Sequence, residues 1–227
     1  MPSRKKTTMF ASAFLTCACS FVTICVVLGS QHWMSSKVRF SGTNSSTTVS
    51  LTYGLFSGTC EQLVDAGLQV SESTFKVADN LKSIEAKGMI TAIVVILVLS
   101  LLSSLLSSGF TCTNAVSNPY QTFLGPIGVY TWNSLCGILI LLAMILFPVS
   151  IEAKNLSVEL ARGCFPFLQT HTESTHAYGY SYWLMLLILF QNIASIFIIY
   201  LYDHARYSKK KQQDRPIENA PKDVILF

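Results

Sequence analysis

Long stretches of the chain contain almost no charged residues. Residues 7–36 and 88–151 carry no Asp, Glu, Lys or Arg, and residues 163–202 carry only Glu173. A helix in water needs a polar stripe along one face, and these stretches are too long to lack one. Four apolar runs within them each approach the roughly 20 residues that cross a bilayer. The pattern predicts four transmembrane helices, over residues 8–29, 89–110, 128–151 and 180–202.

The composition agrees with a membrane protein and disfavours a water-soluble one. Of 227 residues, 51% are hydrophobic and only 12% are charged, whereas soluble domains carry about 25% charged residues. The first run follows basic residues, as a signal peptide does, but it exceeds the roughly 7–15 residues of such a signal's apolar core. We therefore expect a retained helix and one four-pass membrane domain over residues 1–227.

The basic residues predict the orientation of the helices. More than half of the 16 Lys and Arg residues lie before the first run or after the fourth, and such clusters favour the cytoplasmic side. Both termini are predicted to be cytoplasmic, including the tail over residues 203–227. Residues 30–88 and 152–179 are then outer loops, and the plasma membrane is the expected location.

The first outer loop has the pattern of a small extracellular β-sheet. Residues 37–40 and 49–53 alternate between apolar and polar side chains around a Ser, Thr, Gly and Asn-rich turn. Two strands alone are marginal in water, so the sheet must pack on the helix bundle or on a partner. The predicted fold class is an all-α membrane protein, a four-helix transmembrane bundle with a small extracellular β-sheet from the first outer loop. Apolar residues at helical spacing predict a short amphipathic helix before the second span: Phe75, Ala78, Leu81 and Ile84.

Two N-glycosylation acceptors lie in the predicted outer loops. Asn44 and Asn155 each begin an Asn-x-Ser triplet, and no such triplet falls in the predicted cytoplasmic segments. The alternative for each is a plain solvated asparagine, because the triplet is common by chance. Asn155 also lies only a few residues from the predicted membrane surface.

The seven cysteines divide by predicted compartment. Only Cys60 and Cys164 lie outside the membrane on the oxidising side, one in each outer loop, so that a disulfide between the loops is available. Two free thiols are the alternative, because sequence does not give their separation. Cys112 is predicted at the cytoplasmic end of the second helix, where palmitoylation or a free thiol would both fit. The remaining cysteines are expected to pack as small apolar side chains: Cys17, Cys19, Cys25 and Cys136.

No pattern in the sequence indicates catalysis. His171, Glu173 and His176 form the only cluster of metal-ligating type, but the spacing differs from that of a zincin helix and a fourth ligand is missing. We interpret this segment as a polar surface loop and predict no metal. No phosphate-binding loop or nucleophile motif is present, so we expect no enzyme, no cofactor and no nucleic acid partner.

Two adjacent amides interrupt the fourth apolar run. Gln191 and Asn192 are predicted to face the bundle interior or an oligomer partner, since an unpaired amide in hydrocarbon is costly. There they would either hold helices together or line a substrate or ion path. The absence of charged residues from all four runs disfavours a path.

The C-terminal tail suggests a cytoplasmic partner. Ile225, Leu226 and Phe227 end the chain with apolar residues at the last and third-last positions, the arrangement that a PDZ domain binds as an added strand. The expected partners are the lipid bilayer, other membrane proteins and a candidate PDZ scaffold. The basic residues 206–211 favour contact with anionic cytoplasmic lipids.

A signature in the first outer loop resembles the claudin and peripheral myelin protein superfamily. Trp33 follows the first helix, and Gly54, Leu55 and Phe56 precede Cys60, where that superfamily has Gly-Leu-Trp followed by two cysteines. Here Phe56 replaces the second Trp and the second loop cysteine is missing. The superfamily's disulfide within the loop, and paracellular sealing, are therefore not carried over.

Further motifs resemble the clarins, a four-pass branch of that superfamily, over nearly the whole chain. They are YGLF (53–56), SNPYQT (117–122), GP (125–126), GVYTWN (128–133) and YGYSYW (178–183). The basic start and the Ile-Leu-Phe end are most similar to the third paralogue. The resemblance implies a glycosylated membrane protein that organises or escorts membrane complexes, with an auxiliary ion-channel subunit as the alternative. A transporter or channel in its own right is disfavoured.

Overall fold

The computed structural model describes residues 4–41, 46–64, 69–116, 125–167 and 170–213. Within these ranges, helices and strands follow one another in a fixed order. They are α1 (Arg4–Gly29), β1 (Met34–Ser41), β2 (Ser46–Tyr53), β3 (Ser57–Val64), β4 (Gln69–Lys76), α2 (Val77–Asn80), α3 (Ile84–Val116), α4 (Pro126–Lys154), α5 (Leu156–Cys164), β5 (Thr170–Tyr178) and α6 (Tyr180–Gln213).

Four of these helices are long and apolar enough to cross a membrane, which confirms the predicted four-helix membrane fold. The candidate spans are Thr7–Gly29, Ile84–Val116, Pro126–Lys154 and Tyr180–Ser208. The last three are longer than the roughly 20 residues that hydrocarbon requires, so these helices extend beyond it. The helices contact one another in the ring order α1, α3, α4, α6.

All strands belong to one antiparallel sheet of order β4-β3-β2-β1-β5. The predicted hairpin is present, because β1 pairs with β2 and Val38 lies opposite Val49. The sheet is larger than expected. Its fifth strand, β5, comes from the second predicted outer loop and contains residues 171–176, for which the sequence predicts a polar surface loop. It pairs along β1, with Met34 opposite Tyr178, and joins the two loops into one sheet.

The prediction of an amphipathic helix around residue 80 is wrong for most of that segment. Residues up to Lys76 form β4, which pairs with β3, and only the four residues of α2 are helical before α3 begins at Ile84. The apolar residues do not share a face as predicted, since Phe75 and Leu81 are buried while Ile84 is 87% exposed. Pairing with β3 satisfies the backbone of this Ser- and Thr-rich segment, and four spaced apolar residues were too few to establish a helix.

One face of the sheet is buried against α5 and the end of the bundle. Along β1 the side chains alternate between buried and exposed, beginning with buried Met34. The α5 helix contacts β1, β2 and β5 and contributes buried Leu156 and Leu160. We call this unit, the five strands with α5, the outer lid. It covers the end of the bundle where α1 and α4 end and α3 and α6 begin.

Candidate functional site

Polar side chains from all four spanning helices meet inside the bundle. The group lies in runs that sequence analysis found free of charge, and each member is almost completely buried. We call it the polar layer, and it consists of Cys17 and Ser20 of α1, Ser107 of α3, Asn133 of α4, and Asn192 and Ser195 of α6.

Asn133 connects the polar layer across three helix interfaces. Its amide Nδ2 donates to Ser107 Oγ at 2.7 Å and lies 3.4 Å from Ser195 Oγ. The Cys17 thiol donates to Asn133 Oδ1 at 3.6 Å and lies 3.2 Å from Ser195 Oγ. Ser20 donates to Asn192 Oδ1 at 3.5 Å. Hydrocarbon offers polar groups no partner, so these groups hold the helices to one another.

Apolar clusters close the interior on both sides of the polar layer. On the side of the outer lid lie Ile24, Ile140 and Ile188, which belong to the main hydrophobic core. On the opposite side, a second cluster packs Phe10, Ala13, Ala115, Val129 and Ile199 together. The polar layer is therefore enclosed between apolar clusters.

The two predicted amides of the fourth span differ in surroundings. Asn192 faces the interior and is 3% exposed, and its Oδ1 joins α6 to α1 by accepting from Ser20. Gln191 is only half-buried, and its Oε1 atom has no hydrogen-bond partner among the described residues. Each of the two amides therefore has one buried atom without a hydrogen-bond partner among the described residues, Oε1 in Gln191 and Nδ2 in Asn192.

Trp33 joins the bundle to the outer lid. Its indole N–H donates to the carbonyl of Val27 in α1 at 2.7 Å, and its ring meets Phe147 of α4 edge-on at 4.9 Å. Its backbone N–H donates to Tyr53 O, and its carbonyl accepts from Gly179 N–H. Trp33 is fully buried, so its position in the signature serves packing.

Two glycines hold the segment around Trp33 from either side. A Cβ on Gly54 would lie 2.1 Å from the carbonyl oxygen of Ser30, and one on Gly179 would lie 2.1 Å from that of His32. Any side chain at either position would push the backbones apart. Of the other signature residues, Leu55 is buried and Phe56 is 53% exposed.

A second buried polar group lies between the sheet and α5. Ser157 of α5 hydrogen-bonds Tyr53 Oη at 2.8 Å and Ser36 Oγ at 3.0 Å, and Ser36 Oγ also lies 2.9 Å from His176 Nδ1. Burial raises the pKa of Tyr53 to about 12, although its hydrogen bonds to Ser157 and Ser36 oppose the shift. The phenol is therefore neutral at physiological pH and fixes α5 beneath the sheet.

A disulfide connects the two outer loops. It joins Cys60 of β3 to Cys164 at the end of α5, with the Cα atoms 6.6 Å apart. Nearby, Gly163 lies so close to Asn80 that a Cβ would be 2.8 Å from the Asn80 Cβ. The bridge thus fixes the end of α5 to β3, in the half of the sheet away from β1 and β5.

The predicted glycosylation acceptor Asn155 has a structural role as well. It is exposed and adopts the left-handed conformation, with φ 47°, at the junction of α4 and α5. Asparagine tolerates this conformation better than most residues. The other acceptor, Asn44, and the tail residues Ile225, Leu226 and Phe227 lie outside the described residues.

The His171, Glu173 and His176 segment is strand β5 rather than a loop. Glu173 pairs with Arg39 at 3.6 Å, and His176 bonds Ser36, so the charged and imidazole groups serve the sheet. Within the residues described by the structure, no group of three or more His, Cys, Asp or Glu side chains could hold a metal ion.

Sequence reasoning missed the two residues that organise these groups. Asn133 was noted only as part of a family motif, and Ser157 only as the third residue of a glycosylation triplet. The available signal for Asn133 was an amide side chain inside an apolar helix, because a buried amide requires a hydrogen-bond partner. Nothing in the sequence indicated that Ser157 would lie beneath Tyr53.

Comparisons with known proteins agree with the resemblance drawn from the motifs. The sequence model of a family described as Clarin-2-like matches residues 5–199. The chain is 45% identical to Clarin-3 of Mus musculus and 44% identical to Clarin-3 of Homo sapiens, with 100% of each chain covered. It is 26% identical to Clarin-1 of Homo sapiens, with 99% of this chain and 100% of that protein covered.

Substitution of Asn133 is expected to weaken the bundle. Asn133→Ala removes the amide bonds to α3 and α6 and should lower the free energy of unfolding by about 1–2 kcal/mol, since interhelical bonds in membranes average about 0.6 kcal/mol each. The control Thr131→Ala changes an exposed hydroxyl that bonds only its own helix, at Ile127 O, and should stay within about 0.5 kcal/mol. Unfolding in mixed detergent micelles measures both, and equal losses would contradict the role of Asn133.

Thiol counting is expected to show one disulfide between the loops. Alkylation of the denatured, unreduced protein should modify Cys17, Cys19, Cys25, Cys112 and Cys136, the free cysteines. After reduction all seven cysteines should react. Cys60→Ser should free Cys164 and add one modified residue without reduction, whereas the control Cys25→Ser should remove one. Mass spectrometry reads the counts, and full modification before reduction would exclude the bridge.

Proposed function

Because the chain belongs to the clarin family, we propose that it is a non-enzymatic multi-pass membrane protein that organises or escorts membrane protein complexes. The observation that carries the proposal is the enclosed polar layer. Asn133 is bonded to Ser107, Ser195 and Cys17 between apolar clusters, and Asn192 Nδ2 is left without a partner in the same layer. The buried interior of the described residues contains no charged side chain, which disfavours catalysis or transport through the bundle. The surfaces left for function face lipid and water.

The lipid-facing side of α6 suits contact with other membrane proteins. Phe190 and Ile193 are 69% and 62% exposed, so this side of α6 presents large apolar side chains. A helix of another protein packed here would contact them closely, and such van der Waals packing is one of the forces that associate helices in membranes. The same surface would serve the alternative, an auxiliary subunit of an ion channel, if the partner is a pore-forming chain.

The proposed topology places the outer lid outside the cell and both termini in the cytoplasm of a plasma-membrane protein. The disulfide between Cys60 and Cys164 supports this orientation, because such bonds persist in oxidising compartments. The proposal also assigns N-glycans to Asn44 and Asn155, and a cytoplasmic PDZ scaffold to the Ile225, Leu226 and Phe227 tail.

Co-purification tests the proposed role. The full chain, extracted in a mild detergent, should recover other membrane proteins together with a PDZ scaffold. Deletion of Ile225, Leu226 and Phe227 should remove the scaffold alone, because the membrane partners bind through the helices. The control Lys222→Ala alters the tail but leaves its last three residues intact, and should retain both.

Three outcomes would change the assignment. Recovery of no membrane protein above the level of an unrelated four-pass control would contradict the organising role. A set dominated by pore-forming subunits would put the auxiliary channel role first. Ion flux through liposomes that contain the purified chain alone would contradict the closed interior.

Removal of the two glycosylation acceptors tests the topology. It also tests whether the triplet that begins at Asn155 serves both glycan attachment and folding. Asn44→Gln and Asn155→Gly should each remove one glycosidase-sensitive shift in gel mobility, and glycine keeps the left-handed conformation at residue 155 available. Ser157→Ala should remove the same glycan as Asn155→Gly but also lower the melting temperature, because it breaks the bonds to Tyr53 and Ser36. An unchanged mobility for Asn155→Gly would show that this acceptor is unused.

A further inference from the structure

An open cavity of about 450 Å³ lies where three helices meet at the edge of the outer lid. The segment before α3 forms one wall, the end of α4 forms the second, and α5 forms the third. The side chains around it are mostly charged: Lys82, Lys154, Asn155, Val158, Glu159 and Arg162. No part of the polar layer or of the buried group beneath the sheet contributes to it.

The charges around the cavity leave two cations without a partner. Glu159 Oε1 accepts the backbone N–H groups of Lys82 and Ser83 at 2.5 and 2.6 Å, so this carboxylate caps the start of α3. Lys154 is paired with Glu85 of α3. Across the described ranges, the side chains of Lys82 and Arg162 make no ion pair, and both are exposed. The residues that line the cavity include three cations and one carboxylate, Glu159, so the lining carries a net positive charge.

The cavity lies at the ends of two candidate spans that are longer than the hydrocarbon requires, so lipid headgroups are expected around it. Lys154 is the last residue of the α4 span, and Lys82 precedes the α3 span by two residues. Ile84 follows the lining residue Lys82 by two positions, and its apolar side chain is 87% exposed. Such side chains are stable at this level when they contact lipid. The cavity therefore combines exposed cations with an apolar margin.

We propose that this cavity binds the phosphate of a phospholipid headgroup, held by Lys82 and Arg162. The planar guanidinium of Arg162 can hold two phosphate oxygens at once, and the Lys82 ammonium supplies a compact charge on the facing wall. The apolar margin at Ile84 distinguishes a lipid from free phosphate, because only a lipid carries acyl chains to cover it. A bound headgroup would bridge α3 and α5 and so stabilise the attachment of the outer lid.

Lipid-dependent thermal unfolding tests the site. The full chain, purified in an uncharged detergent, is titrated with phosphatidylglycerol, with a diacylglycerol of the same acyl chains, and with inorganic phosphate. Phosphatidylglycerol should raise the melting temperature saturably, and the other two should not at equal concentration. In Lys82→Ala/Arg162→Ala the apparent affinity should fall about 25-fold, which corresponds to about fivefold for each basic residue near an anionic lipid surface.

Matched variants keep the test decisive. Lys76→Ala/Lys87→Ala removes two exposed lysines from the same side of the bundle but outside the cavity, and should keep the affinity of the unaltered chain. Lys82→Arg/Arg162→Lys preserves both charges and should bind within a few-fold even if the alanine variant unfolds. An equal shift from diacylglycerol or from phosphate alone would overturn the lipid assignment. Unchanged affinity in the alanine variant, or lost affinity in the charge-preserving one, would overturn the site.

Discussion

Hydrocarbon cannot hydrogen-bond, and the arrangement of this protein depends on that constraint. A polar group carried into a bilayer must find its partner on another helix. Asn133 meets this requirement with Ser107 and Ser195, and Cys17 completes the contact with α1. These bonds fix the rotation of each of the four helices about its own axis. That rotation determines which face of each helix meets lipid. The position of each loop at the outer end follows from that rotation as well.

The outer lid depends on the bundle in turn. A hairpin of β1 and β2 alone would be marginal in water, but Trp33 anchors its start to α1 and α4 through Val27 and Phe147. The other end of the sheet lies far from this anchor. The disulfide from Cys60 to Cys164 holds it, and a bridge of this kind typically contributes about 2–4 kcal/mol. Strand β5 closes the remaining edge of β1, so that the two outer loops form one folded unit.

The sequence predicted the parts of this structure that depend on composition and missed those that depend on proximity. Charge-free runs gave the four helices, and alternation gave the β1–β2 hairpin. Strand β5 was missed because residues 170–178 are polar on both faces, so only the pairing with β1 reveals a strand. The burial of Trp33 was not predicted either, because it depends on the close backbone approach that Gly54 and Gly179 allow. The sequence showed that Cys60 and Cys164 were available to pair. It could not show that they lie within bonding distance, since that distance depends on the position of α5.

A bundle fixed in this way has consequences for how it could act. Opening a path through it would break the hydrogen bond from Asn133 to Ser107 and separate the apolar clusters on either side. A protein built to gate or transport needs a second arrangement of similar energy, and the polar layer opposes one. A rigid surface, by contrast, favours association, because little conformational freedom is lost when a partner binds. The exposed side chains of Phe190 and Ile193 on α6 form a surface on which such a partner would pack.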